Sequence, residues 1–153
     1  MKSLALLCVL LAVVLLGLSR PAGAADAEKK VKADQPANRV VVMYFHRTKR
    51  CPTCLRMGSY SEDAVVNGFP EQIKDGTVEF HYVDFQNQKN AALVKDYKIS
   101  GPSLVVVKIA NGKPAAAKNL EEIWAKNRDR DVFLKYVQDN VKAYQKAEPK
   151  TAM

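Results

Sequence analysis

Cysteine is scarce in this chain: three in 153 residues, and one of them, Cys8, lies inside an apolar leader. There is no second C-x-x-C, so the four donors that a closed structural zinc site requires are not at hand. Long apolar runs are missing too. The longest, residues 4–18, is about 15 residues, short of the roughly 20 that a spanning helix needs. Internal repeats are absent, which excludes a stack of like units. Acid is in deficit: 16 Asp and Glu against 24 Lys and Arg leave a formal charge of +8. Such a balance favours anionic surfaces such as headgroups, acidic proteins or nucleic acid. The lysines are scattered along the chain (Lys89, Lys95, Lys108, Lys118, Lys126, Lys135, Lys142), so they read as a solvated basic surface.

What is present begins with an export signal. Lys2 gives a positive start to the apolar stretch, and Ala22-Gly23-Ala24 offers a small-residue site with cleavage expected before Ala25. Leu7 precedes Cys8 where a lipoprotein signal would carry a small residue. The expected destination is the periplasm or the exterior, where no nucleic-acid partner is expected. Lys2 and Arg20 leave with residues 1–24, taking the formal charge from +8 to +6. Residues 25–38, Ala- and Lys-rich around Pro36, read as a flexible lead-in, residues 39–146 as one domain, and residues 147–153 as a frayed tail.

Residues 40–45 form a continuous β-prone run, as expected of a strand covered on both faces. A polar loop from His46 to Arg50 follows. A helix is predicted from Cys51 or Pro52, where proline costs nothing, with Gly58-Ser59-Tyr60-Ser61 as a point of interruption and Asn67-Gly68 as its end. Residues 78–84 alternate as a second strand, with Val78, Phe80 and Tyr82 on one side. Residues 90–97 read as a short helix, Ser100-Gly101-Pro102-Ser103 as a turn, and residues 104–109 as an apolar strand. Asn111-Gly112 signals a hairpin into a weak edge strand at 115–118. Asn119 then reads as the cap of a helix, with Asp129 or Asp131 capping another. Tyr44, Phe45, Met43, Met57, Trp124 and Phe133 are assigned to the core, and His81 to a solvent-facing strand position. The order predicts an α/β fold with a central mixed sheet flanked by helices.

Cys51-Pro52-Thr53-Cys54 carries the chemistry. At a strand-to-helix junction two such thiols open and close a disulfide reversibly. Cys51 is the expected nucleophile, because unpaired N–H groups and the positive dipole end at a helix start lower a thiol's pKa. Arg50, Lys49 and Arg47 add positive charge. Cys54 is the resolving thiol, Pro52 stiffens the helix start, and Thr53 is placed to donate a hydrogen bond toward either sulfur. His46 is a candidate for stabilising the thiolate or moving a proton, with an exposed loop histidine as the other reading. As a staple the pair would contribute only about 2 kcal/mol, against about 4.7 for a loop of 100 residues, so redox use is favoured.

In its motifs and their order the chain resembles the thioredoxin-like superfamily. The likeness lies in Cys51-Pro52-Thr53-Cys54 behind the strand at 40–45 and in Ile99-Ser100-Gly101-Pro102-Ser103-Leu104 ahead of the next. It covers roughly residues 39–144. The resemblance implies a thioredoxin-like fold, a cis-proline loop at Gly101 and Pro102 that holds substrate peptide, a protein dithiol or disulfide as partner with a membrane electron donor, and no cofactor. The chain departs from the pattern at Arg50, which replaces a tryptophan, and at Phe45, which stands where the thioredoxin reductants keep a buried carboxylate.

Two other functions remain open at this level. One is a copper-binding module using Cys51, Cys54 and His46, or Met57 in its place, since soft ligands select Cu(I). The other is a partner-binding protein whose thiols are incidental. The leading reading is an exported thiol–disulfide oxidoreductase or electron relay; direction and oligomeric state are not read from the sequence.

Overall fold

The computed structural model describes residues 35–147. The expected signal segment, its cleavage point, residues 25–34 and the tail beyond Ala147 lie outside these. Among the described residues the strands form one mixed sheet in the order β2-β1-β3-β4. They are β1 (Arg39–His46), β2 (Val78–Asp84), β3 (Ser103–Ala110) and β4 (Lys113–Asn119). The helices are α1 (Pro52–Val66), α2 (Pro70–Lys74), α3 (Ala91–Asp96), α4 (Ile123–Lys126) and α5 (Arg130–Lys146), with a 3-10 turn at Gln88–Asn90. β1 runs parallel to β2, with Tyr44 beside Tyr82, and antiparallel to β3, with Phe45 beside Ser103. The predicted α/β plan is thus the observed one.

The sheet separates two apolar layers, which is why β1 is apolar without a break. Val40, Val42 and Tyr44 face Met57, Ala64 and Val65 of α1 and Phe133, Val137 and Val141 of α5. Met43 and Phe45 point the other way, against Ile99, Leu93, Val94 and Tyr97. Period-two alternation thereby sends neighbouring side chains of one strand to opposite helices.

Helix α1 starts where the sequence placed it. Cys51 has extended backbone (φ −78°, ψ 162°) and its sulfur caps the first turn, with proline next in line. The interruption expected at Gly58-Ser59-Tyr60-Ser61 does not occur, and the helix runs unbroken for 15 residues. Two features explain this. A Cβ on Gly58 would come within 3.0 Å of both the Tyr44 and the Tyr82 rings, so the glycine is a seat for two tyrosines. Ser61 is fully buried, but its hydroxyl donates to the Met57 carbonyl at 2.7 Å, inside its own helix.

Elsewhere the boundaries shift. Asn119 does not cap a helix: β4 runs to it, and Leu120 N–H goes on to the Leu104 carbonyl at 2.8 Å. The helix begins later, at Ile123, without a side-chain cap. Asp129 does cap α5, accepting from Val132 N–H at 3.1 Å. Helix α2 was not expected; Pro70 opens it behind the buried Phe69. At the hairpin, Asn111 (φ 53°) and Gly112 (φ 75°) are both left-handed, as a two-residue primed turn requires. The end of the lead-in is tied to that turn: Gly112 N–H donates to the Ala37 carbonyl and Asn111 N–H to Asn38 Oδ1.

Candidate active site at the start of helix α1

Strand β1 ends at His46 and a short loop lifts the chain to Cys51 at the head of α1. Cys51 is exposed and Cys54, one turn on, is buried; both are free thiols. Their sulfurs stand 2.6 Å apart, and Cys54 N–H donates to Cys51 Sγ at 3.3 Å. The hydrogen bond from the Cys54 thiol pulls the Cys51 pKa below the ordinary thiol value, with further help from the backbone N–H groups of Cys54 and Thr53. Burial pushes the Cys54 thiol up, and donating to Cys51 pushes it further. The pair is therefore polarised: Cys51, with the lowered pKa, meets solvent, and Cys54, with the raised one, lies buried beneath it. A C-x-x-C at a helix start produces this because residue 54 supplies both an S–H and an N–H donor to the capping sulfur.

The surrounding residues play parts that differ from several expectations. Thr53 serves Cys51 through its backbone N–H, and Pro52 occupies the first helical position. The leading causes of the lowered Cys51 pKa are the hydrogen bonds just described. The Arg50 guanidinium lies over the Tyr82 ring, 4.7 Å from its centroid. His46 is not an exposed loop histidine: it is the last residue of β1 and only 8% exposed. Its ring stacks on Tyr44 with centroids 6.5 Å apart, and Nδ1 lies 2.9 Å from the Arg47 carbonyl. A carbonyl only accepts, so Nδ1 carries the hydrogen and Nε2 is the free acceptor in the neutral ring. Among the described residues His46 makes no hydrogen bond to either sulfur. His81 lies at the surface with Nε2 2.8 Å from Glu79 Oε2, as a solvent-facing strand residue should.

Tyr44 ties the sheet to the site. Its hydroxyl, fully buried, donates to the Cys54 carbonyl at 2.8 Å. Burial raises its pKa far above the phenolic value, so it acts as a fixed donor.

Because Phe45 pairs with Ser103, the antiparallel register brings the Gly101-Pro102 loop to the same end of the sheet as His46. There are no cis peptide bonds among the described residues, so the bond before Pro102, whose isomer the sequence leaves open, is trans. Gly101 meets nothing that a Cβ would touch, and is not a required close approach. What the sequence reading missed is how this loop is joined to α1. Arg56 Nη2 donates to Asn127 Oδ1 at 3.0 Å. The Asn127 amide donates to the Trp124 carbonyl. Trp124 Nε1 in turn reaches the Pro102 carbonyl at 3.3 Å. Trp124, assigned to the core from its apolar character, is 47% exposed and covers the proline loop from outside. As the only tryptophan of the chain, it should emit at a water-exposed wavelength and be quenched by iodide; an indole resistant to quenching would refute this placement.

No group of three His, Cys, Asp or Glu side chains able to hold a metal ion occurs among the described residues. His46 thus does not join Cys51 and Cys54 as a third ligand. Met57 is fully buried in the apolar layer, as expected.

No protein-family model matches the chain, and no curated protein matches it. Solved structures do. The zinc-bound form of human ERp44 is 18% identical over 76% of this chain with a TM-score of 0.46, and the chain spans 28% of its length. A thioredoxin of Fasciola hepatica is 25% identical over 69% of this chain and 89% of its own, with a TM-score of 0.41. An oxidoreductase named DsbH is 22% identical over 75% of this chain and 91% of its own, with a TM-score of 0.38. Overlaps this loose carry no argument by themselves; the sheet order and the place of the two cysteines do. On those grounds the chain has a thioredoxin-like fold, a mixed four-stranded sheet between helices with its C-x-x-C at the head of α1.

Proposed function

We propose that this protein is an exported thiol–disulfide oxidoreductase or electron relay acting on protein partners through Cys51 and Cys54. The observation that carries the reading is the polarised pair: an exposed sulfur with a lowered pKa directly over a buried, protonated one. The Cys51 thiolate attacks one sulfur of a partner disulfide. A Cys51–partner bond forms, the partner's S–S bond breaks, and the released partner sulfur leaves as a thiolate that takes a proton from solvent. Cys54 then gives up its proton to solvent and attacks Cys51 Sγ, and the partner's second sulfur leaves as a thiolate that is protonated in turn. The Cys51–Cys54 bond forms as the mixed disulfide breaks, and two electrons have passed to the partner. The same steps run backwards oxidise a partner dithiol. Export, and a membrane donor that refills the pair with electrons, belong to this proposal.

Titrating the protein in glutathione or dithiothreitol redox buffers tests it. Reversible two-electron equilibration is expected, with the lowered Cys51 pKa favouring the reduced form. A pair that never equilibrates as a disulfide would overturn the proposal.

A further inference from the structure

The segment that presents Cys51 is charged in one sense only. Residues 46–57 hold Arg47, Lys49, Arg50 and Arg56 and no carboxylate. Three of these are unremarkable. Arg56 is engaged with Asn127, Arg47 lies loosely over Phe85 at 5.8 Å, and Lys49 stands in solvent. Arg50 is different. It adjoins Cys51, is half-buried, and has its guanidinium carbon over the Tyr82 ring, 4.7 Å from the centroid. Among the described residues no hydrogen bond or ion pair involves its guanidinium. The carboxylates of the neighbouring elements are occupied elsewhere. Asp84 accepts from Thr48 Oγ1 at 2.7 Å and Gln86 N–H at 2.9 Å. Glu62 accepts from the Tyr82 hydroxyl at 3.0 Å, and Asp63 pairs with Arg130 at 3.0 Å.

The platform under Arg50 is itself fixed. Tyr82 is held at one end by Glu62, packs its edge on Tyr44 with centroids 6.0 Å apart, and rests in the space that Gly58 leaves open. A guanidinium held over a ring and without a hydrogen-bond partner keeps its N–H donors for another group. A carboxylate is the protein group that matches that fork two-pronged. Little side-chain freedom is left to lose when it arrives.

We propose that Arg50 is a specificity-determining residue that receives a carboxylate of the partner, so that the preferred substrate is a protein disulfide flanked by Asp or Glu. This rests on the exchange reaction proposed above and adds which disulfides enter it. The neighbouring Arg47 and Lys49 extend the attraction, and a disulfide flanked by lysine is repelled.

The test uses two synthetic peptides with the same intramolecular disulfide, one flanked by Asp and Glu, the other by Lys. Each is mixed with the reduced protein, quenched with acid and followed by mass. The ratio of the two rates is the readout, because both peptides meet the same Cys51 thiolate and any change in its pKa cancels. At low salt the acidic peptide is expected to react faster, with about two- to fivefold of the ratio resting on Arg50 alone, the range for an exposed ion pair. One molar salt should compress the ratio, since screening then acts within about 3 Å. Arg50→Ala should reduce the ratio more than Lys49→Ala does. Equal rates for the two peptides, or a ratio untouched by Arg50→Ala, would overturn the proposal. If neither peptide reacts, the exchange reading itself falls, and this one with it.

Discussion

Cys51→Ser is expected to remove disulfide exchange altogether, and Cys54→Ser to halt it one step later, at a mixed disulfide that persists. The asymmetry follows from which sulfur meets solvent: Cys51 is exposed and Cys54 buried. A hydroxyl is not ionised near neutrality and cannot replace the attacking thiolate, so the rate in Cys51→Ser should drop below detection. In Cys54→Ser the first attack proceeds and the resolving attack cannot, so a covalent protein–partner adduct accumulates on a non-reducing gel. Cys54→Ala gives the pH test. The Cys51 pKa is lowered first by the hydrogen bond from the Cys54 thiol, and alanine removes that donor. The wild-type sulfur should stay reactive toward iodoacetamide as pH falls through the ordinary thiol range, losing reactivity only lower down. In Cys54→Ala the fall-off should begin at higher pH. Mixed disulfide trapped equally by both serine variants would sink the assignment of roles, and superimposable pH profiles would sink the stated cause of the lowered pKa.

Phe133→Ala should cost about 3–5 kcal/mol of stability, the range for deleting a buried aromatic side chain. That is a large share of the roughly 5–15 kcal/mol by which a domain of this size is stable. Phe133 is fully buried on α5, and its ring meets Tyr60 of α1 at 5.6 Å between centroids, edge to face. It thus joins the helix that carries both cysteines to the one that closes the fold. The small residues alongside, such as Ala64 and Val65, cannot expand into the space. A urea titration should show an earlier midpoint with the slope unchanged. A loss under about 1 kcal/mol would mean that the α1–α5 seam collapses around the gap.

Much of the site was legible in the residues. Cys51 and Cys54, the proline at the helix start, the strand behind them and the Asn111-Gly112 turn all follow local rules, and all are observed. The errors came where a side chain's neighbours are distant in sequence. Gly58 reads as a breaker because glycine is a poor helix former; only the Tyr44 and Tyr82 rings, brought in by the sheet, explain its presence. His46 read as loop because it follows an apolar run, yet β1 extends through it, and Tyr44 and Tyr82 enclose its ring. Trp124 is apolar and lies next to the buried Ile123, but α4 is only four residues long and too short for periodicity to sort its faces. The Arg56–Asn127–Trp124–Pro102 connection joins four separate stretches of chain, and no local pattern announces it.

That connection bears on the order in which the site is assembled during synthesis. Cys51 and Cys54 emerge early, on the first strand–helix unit, but Pro102, Trp124 and Asn127 follow some 50 to 75 positions later. Pairings of such separation form late, because the chain must close a long loop before they contribute. Until β3 docks against β1 and Trp124 closes over the proline, α1 lacks the tie from Arg56 through Asn127 and Trp124 to the Pro102 loop. The seating of the helix that carries the pair is therefore completed by the last third of the chain, well after the pair itself has been made.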